Sequence, residues 1–262
     1  MSVSFTILGS GSGGNCAYLE TPGARLLIDA GFSAKQIRQR LAGLGRSPET
    51  LSGILLTHEH GDHVAGLGVL AAKLDLPVYC NRLTREAVEA RQGCRLRANL
   101  FTTGAAFEIG DVTVETFAVP HDAYDPVGFV LRTPAGTVGF LTDLGHATKL
   151  VIERVRAADA LGLEANHDLK LLQDDVKRPW STKQRILSRH GHLSNDAAAE
   201  VAEQVAGGRL KRIYLGHLSR DCNRPELAHR SVAGRLARLG ATHITVENTA
   251  QDRPSPAWVM AP

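Results

Sequence analysis

The segment Thr57-His58-Glu59-His60-Gly61-Asp62-His63 constrains this chain more than any other. It sets three imidazoles and a carboxylate within six residues, directly after the apolar run Ile54-Leu55-Leu56. Core packing does not explain it, because polar groups are costly to bury without partners. Alternate residues of an extended strand end share a side, so His58 and His60 aim the same way. The turn at Gly61 then lets Asp62 and His63 face a second point. The spacing reads as two adjacent metal sites sharing one loop. Imidazole and carboxylate donors together suit Zn²⁺, Mn²⁺ or Fe²⁺. A merely solvated His-rich loop explains neither the length of the motif nor its strand context.

The rest of the composition is ordinary. With 262 residues, 43% hydrophobic and 22% charged, the chain suits a single globular domain over 1–262. Disordered, collagenous and coiled-coil classes are excluded. Aromatics at 5% argue against a single-strand binder built on many Phe and Tyr platforms. A net charge of +3 is compatible with a polyanion and does not argue for one. No apolar run approaches the roughly 20 residues that a bilayer requires, so no membrane partner is expected. Met1-Ser2-Val3-Ser4-Phe5 has no basic segment and no apolar one after it, so no signal peptide is expected either. Cys16, Cys80, Cys94 and Cys222 form no C-x-x-C pair and no disulfide framework. They read as reduced thiols of a cytoplasmic protein.

Periodicity predicts strands near 3–8, 16–20, 25–29, 54–56, 78–79, 112–116, 128–132, 138–141, 212–215 and 244–247. Helices are predicted near 33–43, 64–74, 147–157, 195–206 and 226–239. Pro22-Gly23 and Pro134-Ala135-Gly136 read as hairpin turns. The mixture implies an α/β fold with two sheets sandwiched between helices. Gly9-Ser10-Gly11-Ser12-Gly13-Gly14 matches the dinucleotide fingerprint, with Asp29 at a ribose-binding distance. The loop leads into a strand and not a helix, so no pyrophosphate site is expected. It is either a small-residue loop beside a site or an ordinary tight connection.

H-x-H-x-D-H resembles the signature of the metallo-β-lactamase fold superfamily, which implies an αββα sandwich of two mixed sheets flanked by helices. The resemblance implies further ligands at strand ends, and Pro120-His121-Asp122, Thr142-Asp143-Leu144 and Gly216-His217-Leu218 match. It thereby implies two divalent ions, one on His58, His60 and His121 and one on Asp62, His63 and His217. Asp143 would bridge them, with a hydroxide held between. Asp62 is also the implied base for that water. Asp29 resembles the family's early strand-end acid, which orients ligands; a turn cap is the plain alternative. Glu164 and His192 resemble the acid and imidazole of the phosphodiesterase branches, with His192 protonating the leaving group. Ser194 or Asn195 also fits a helix N-cap there. His146 is a weaker rival to Asp143, and His190, His229 and His243 read as surface or core residues.

The motifs, in order along almost the full length, are similar to those of the small bacterial YycJ/WalJ-like metallo-hydrolases. That similarity implies a DNA exonuclease working from the 5′ end of duplex DNA. Only 73 residues separate Asp143 from His217, too few for the lid domain of the larger nuclease branches. Expected substrate contacts are Ser12 and Asn15 of the glycine loop, His167, Lys183, Arg185 and Arg220. His167 either contacts substrate or packs. The basic stretch 177–190 suits either a phosphate backbone or a solvated helix face. Two other functions stay open. One is hydrolysis of a small ester, thioester, lactone or cyclic phosphodiester by the same core. The other is a metal-stabilised binding or signalling module.

Overall fold

A computed structural model describes residues 2–260. The first sheet contains β1 (Val3–Gly9), β2 (Cys16–Glu20), β3 (Arg25–Ile28), β4 (Gly53–Leu55), β5 (Val78–Cys80) and β6 (Ala98–Leu100). The second contains β7 (Ala106–Ile109), β8 (Val112–Ala118), β9 (Val127–Thr133), β10 (Gly136–Leu141), β11 (Ala160–Glu164), β12 (Arg212–Gly216) and β13 (Thr245–Asn248). The last strand, β14 (Trp258–Met260), returns to pair with β1, giving the order β14-β1-β2-β3-β4-β5-β6. The second sheet runs β13-β12-β11-β10-β9-β8-β7. Each sheet is antiparallel at one end and parallel at the other, through β3–β6 and β10–β13 respectively.

Period-two alternation builds the layers. Phe5, Ile7, Ala17, Leu19, Leu26 and Ile28 face the second sheet and meet Val114, Phe129, Leu131 and Phe140. Tyr18 and Leu27 point the other way, under α1 (Ala34–Gly43), α3 (Leu67–Leu74) and α4 (Arg82–Gln92). The outer face of the second sheet is covered by α5 (Lys149–Val155), α8 (Asn195–Val205) and α9 (Pro225–Arg238). This is the expected αββα sandwich. Ser33, Thr148 and Ser194 cap α1, α5 and α8 where the sequence starts those helices. The predicted helix over 64–74 divides into a turn, α2 (Gly61–Val64), and α3.

Several elements bury few residues and are not predicted from the sequence. Helix α4 buries only Thr84 and Val88, and α7 (Trp180–Leu187) buries only Lys183. The short α6 (Leu169–Asp174) and the edge strands β6, β7 and β14 belong with them. The glycine loop runs into β2 as expected, with no helix behind it. No helix among the described residues is long and apolar enough to cross a membrane.

Candidate metal centre

Parallel strands end at the same edge of a sheet, and both sheets use that edge here. Asp29 follows β3, and Thr57 and His58 lie just past β4. In the second sheet, Asp143 follows β10, Glu164 ends β11 and His217 follows β12. The register sets Leu141 beside Leu163 and Glu164 beside Gly216, so the three ends are level. Among the described residues, four non-glycine residues adopt left-handed φ, and three of them are Asp29 (61°), Asp143 (52°) and His217 (55°). A left-handed turn costs such residues about 1–3 kcal/mol and marks a site the surroundings over-determine.

Two triads meet where these ends converge. His58, His60 and His121 form one, and Asp62, His63 and His217 the other, with ligand atoms within 4.8 Å of one another in each. Asp143 lies between them. Its Oδ2 is 3.1 Å from His63 Nε2 and its Oδ1 is 3.7 Å from His121 Nε2.

The imidazoles are oriented as ligands. His63 Nδ1 donates to Asp29 (2.8 Å), and His217 Nδ1 to Glu164 (2.7 Å). His121 Nδ1 donates to the Gly191 carbonyl (3.0 Å). Thr57 gives its hydroxyl proton to Asp29, so its oxygen accepts from His58 Nδ1 at 3.0 Å. The Nδ1 atoms of His58, His63, His121 and His217 are thus committed to the protein, which turns their Nε2 atoms toward the centre, whereas His60 lies with its Nδ1 3.3 Å from His121 Nε2. His58 Nε2 is buried with no partner among the described residues. That orphaned atom, with nitrogen and oxygen donors converging on it, fits a divalent cation of the zinc or manganese kind.

Electrostatics divide the imidazoles. Burial holds His58 well below the usual histidine range, helped by His63, and burial likewise lowers His121. Burial also opposes charging of His63 and His217, but their carboxylate partners together outweigh it, Asp143 foremost, with Asp29 at His63 and with Asp62 and Glu164 at His217, and raise both. Asp143 itself stays well below the carboxylate range, since His217 and His63 overcome its burial. His192 overcomes burial at Glu164 and holds it at about 2, and Glu164 in turn raises His192.

The centre opens on a cleft of about 280 Å³ lined by His60, Asp62, His121, Asp143, His192 and His217. Ser12 reaches this cleft, and so does Arg185, which pairs with Asp122 at 3.2 Å. Three expected substrate contacts require correction. Asn15 is buried beneath the centre, 3.1 Å from His63 Nε2 and 3.3 Å from Asp62 Oδ2; it supports ligands and does not face substrate. Lys183 turns inward, its ammonium donating to the Gln173 carbonyl at 2.7 Å. Arg220 lies outside the cleft, beside Asn223 and Arg224. His167 packs, buried, with neither ring nitrogen partnered among the described residues. Asp29 is no turn cap, because it holds Thr57 and His63. His146 bonds Arg189, away from both triads. Arg178 of the basic stretch also lines the cleft, and cleft residues not anticipated as contacts are Thr182, Asn166 and Ser219. Asn166 and Ser219 lie inside recognised motifs, and only folding shows that they line the opening. Gly31 permits the close approach behind the loop, since a Cβ there would meet the Asp62 carbonyl oxygen at 1.7 Å.

Comparison with known proteins agrees with this geometry. A β-lactamase superfamily domain model matches residues 24–217. Exodeoxyribonuclease WalJ of Streptococcus pneumoniae is 40% identical over 259 residues, 96% of each chain. Exodeoxyribonuclease YycJ of Bacillus anthracis is 40% identical over 242 residues, 92% of this chain and 91% of that one. The metallo-β-lactamase fold protein YhfI of Bacillus subtilis superposes with TM-score 0.72 at 17% identity, over 98% of this chain and 99% of that one. Motif, fold and similarity converge: the chain belongs to the metallo-β-lactamase fold superfamily of metal-dependent hydrolases, within its WalJ/YycJ-like group.

Proposed function

We propose that this chain is a dinuclear phosphodiesterase that degrades duplex DNA from the 5′ end. The observation that carries the reading is a pair of arginines at the wall of the cleft that holds the two triads. Arg185 pairs with Asp122 and Arg178 with Asp175 and Asp221, and each guanidinium keeps donors to spare. Such donors suit a phosphodiester better than a neutral ester. The exodeoxyribonuclease names of the full-length relatives support the same substrate.

His58, His60 and His121 would hold one cation and Asp62, His63 and His217 the other, with Asp143 shared. Bound there, Zn²⁺ or Mn²⁺ supplies an acidified water and charge for the phosphoryl oxygens. The protein's own part follows from its protons. Burial opposes ionisation of Asp62, but His217 and His63 together outweigh it and keep that carboxylate ionised, so it can accept a proton from the attacking water. Glu164 orients His192 through Nδ1 at 2.8 Å and keeps it protonated at the cleft wall. His192 then hands its proton to the departing alkoxide. Asn15 and Asp29 fix the ligands from behind. The proposal places this work in a single cytoplasmic domain over 1–262.

The test uses metal-reconstituted protein and duplex DNA labelled separately at each end, in Mn²⁺ and in Zn²⁺, beside His60→Ala. Stepwise release from the 5′ end, lost in His60→Ala, is the expected outcome. No cleavage by protein shown to hold its metals would sink the proposal.

A further inference from the structure

We propose that the groove adjoining the metal cleft is a nucleobase subsite, in which Tyr124 stacks on a base flanking the scissile phosphate. The inference rests on the nuclease reading and specifies how that site grips its substrate. The groove holds about 760 Å³ and shares His60 and Asp122 with the metal cleft, so the two openings are continuous. Tyr124 lines it and is 72% exposed. Tyr18 and Tyr214, by contrast, are buried in the sandwich.

An exposed aromatic on a loose loop would mean little, but this loop is pinned. The Tyr124 amide donates to Glu59 Oε1 at 3.0 Å. Asn81 Nδ2 donates to the Asp125 carbonyl at 2.6 Å, and the Thr103 hydroxyl to Asp125 Oδ2 at 2.9 Å. The ring is therefore held out beside the centre by hydrogen bonds on both sides of its attachment. Facing groove positions on α4 are Ala87 and Ala90, one turn apart on one helix face, which leave room for a planar group.

Arg91 lines the same groove and supplies the donor that a flanking phosphate needs. Beside it, the held-out ring of Tyr124 and the small-residue wall of Ala87 and Ala90 leave a slot for a planar, apolar-faced group. An aromatic face, a small-residue wall and a neighbouring cation together match a nucleotide whose base stacks on Tyr124.

The experiment compares the wild type, Tyr124→Ala and Tyr124→Phe, each loaded with Mn²⁺, on end-labelled duplex DNA. Parallel substrates carry one abasic residue, moved through the first three nucleotides of the attacked end. Stacking on an aromatic ring predicts that Tyr124→Ala loses about 5- to 150-fold in kcat/KM, chiefly through KM. Tyr124→Phe retains activity. One abasic position reproduces the loss in the wild type, and on that substrate Tyr124→Ala costs nothing more. Equal cleavage by wild type and Tyr124→Ala, or a loss that persists on every abasic substrate, overturns the base subsite and leaves the nuclease standing. Failure of the loaded wild type to cleave DNA overturns both.

Discussion

Each sheet places one buried carboxylate behind the imidazoles of the metal centre, and the two do different jobs. Asp29, from the first sheet, accepts from the Thr57 amide and hydroxyl and from His63 Nδ1. All its partners lie within one loop of seven residues, 57–63. Glu164, from the second sheet, accepts from the Leu144 and Leu193 amides and from His192 and His217 Nδ1. Its partners come from three separate segments. One acid stiffens a local motif, whereas the other sets the register of loops that share nothing else in sequence. Half of the centre is therefore local chemistry and half is tertiary assembly.

The largest effects should come from breaking these two anchors. Replacing partners that hold metal ligands typically costs about 10- to 100-fold in metal affinity or activity. Asp29→Asn should sit at the lower end, with its loop still tethered by the His63 carbonyl to the Ala30 amide. Glu164→Gln should sit at the upper end, because no carboxamide can accept from four donors at once. It should also move the alkaline fall in kcat to lower pH, since Glu164 is what raises His192. Metal titration and a pH profile of both variants check the contrast. Equal losses with no shift of the alkaline limb would erase it.

A smaller effect sharpens the same comparison behind the second sheet. Burial lowers the His167 pKa to about 4. A histidine depressed in the folded state binds more protons unfolded, so stability is full above the ordinary value and falls as pH drops from about 6.5 toward 4. Between pH 7 and pH 5 the loss should be about 2 kcal/mol. Denaturant unfolding of metal-free protein should show it, and His167→Leu should flatten the slope. The smallest effect is Lys183→Met. It should cost about 1 kcal/mol of stability through the lost bond to Gln173, with kcat/KM unchanged. A rise in KM would return Lys183 to the substrate path.

This contrast also explains what was legible in the sequence. The triad loop is contiguous, so residue type and spacing expose it. His121, Asp143 and His217 are single residues at strand ends and emerge only beside a family pattern. Lys183 and Arg185 look alike as letters in a basic stretch, yet they differ because one faces inward on α7 and one outward. Asn15 was read by its loop, while its role is set by a contact 48 residues away. Helix α4 is mostly charged and buries only Thr84 and Val88, so its side of the groove does not stand out in the sequence.

The left-handed turns at Asp29, Asp143 and His217 have a consequence for how the chain tolerates change. Glycine would relax such a backbone, yet Asp143→Gly would also strip buried His63 and His217 of their shared counter-charge. The strain and the charge pairing are therefore bound to the same side chains. A substitution that comforts the backbone here disarms the protein.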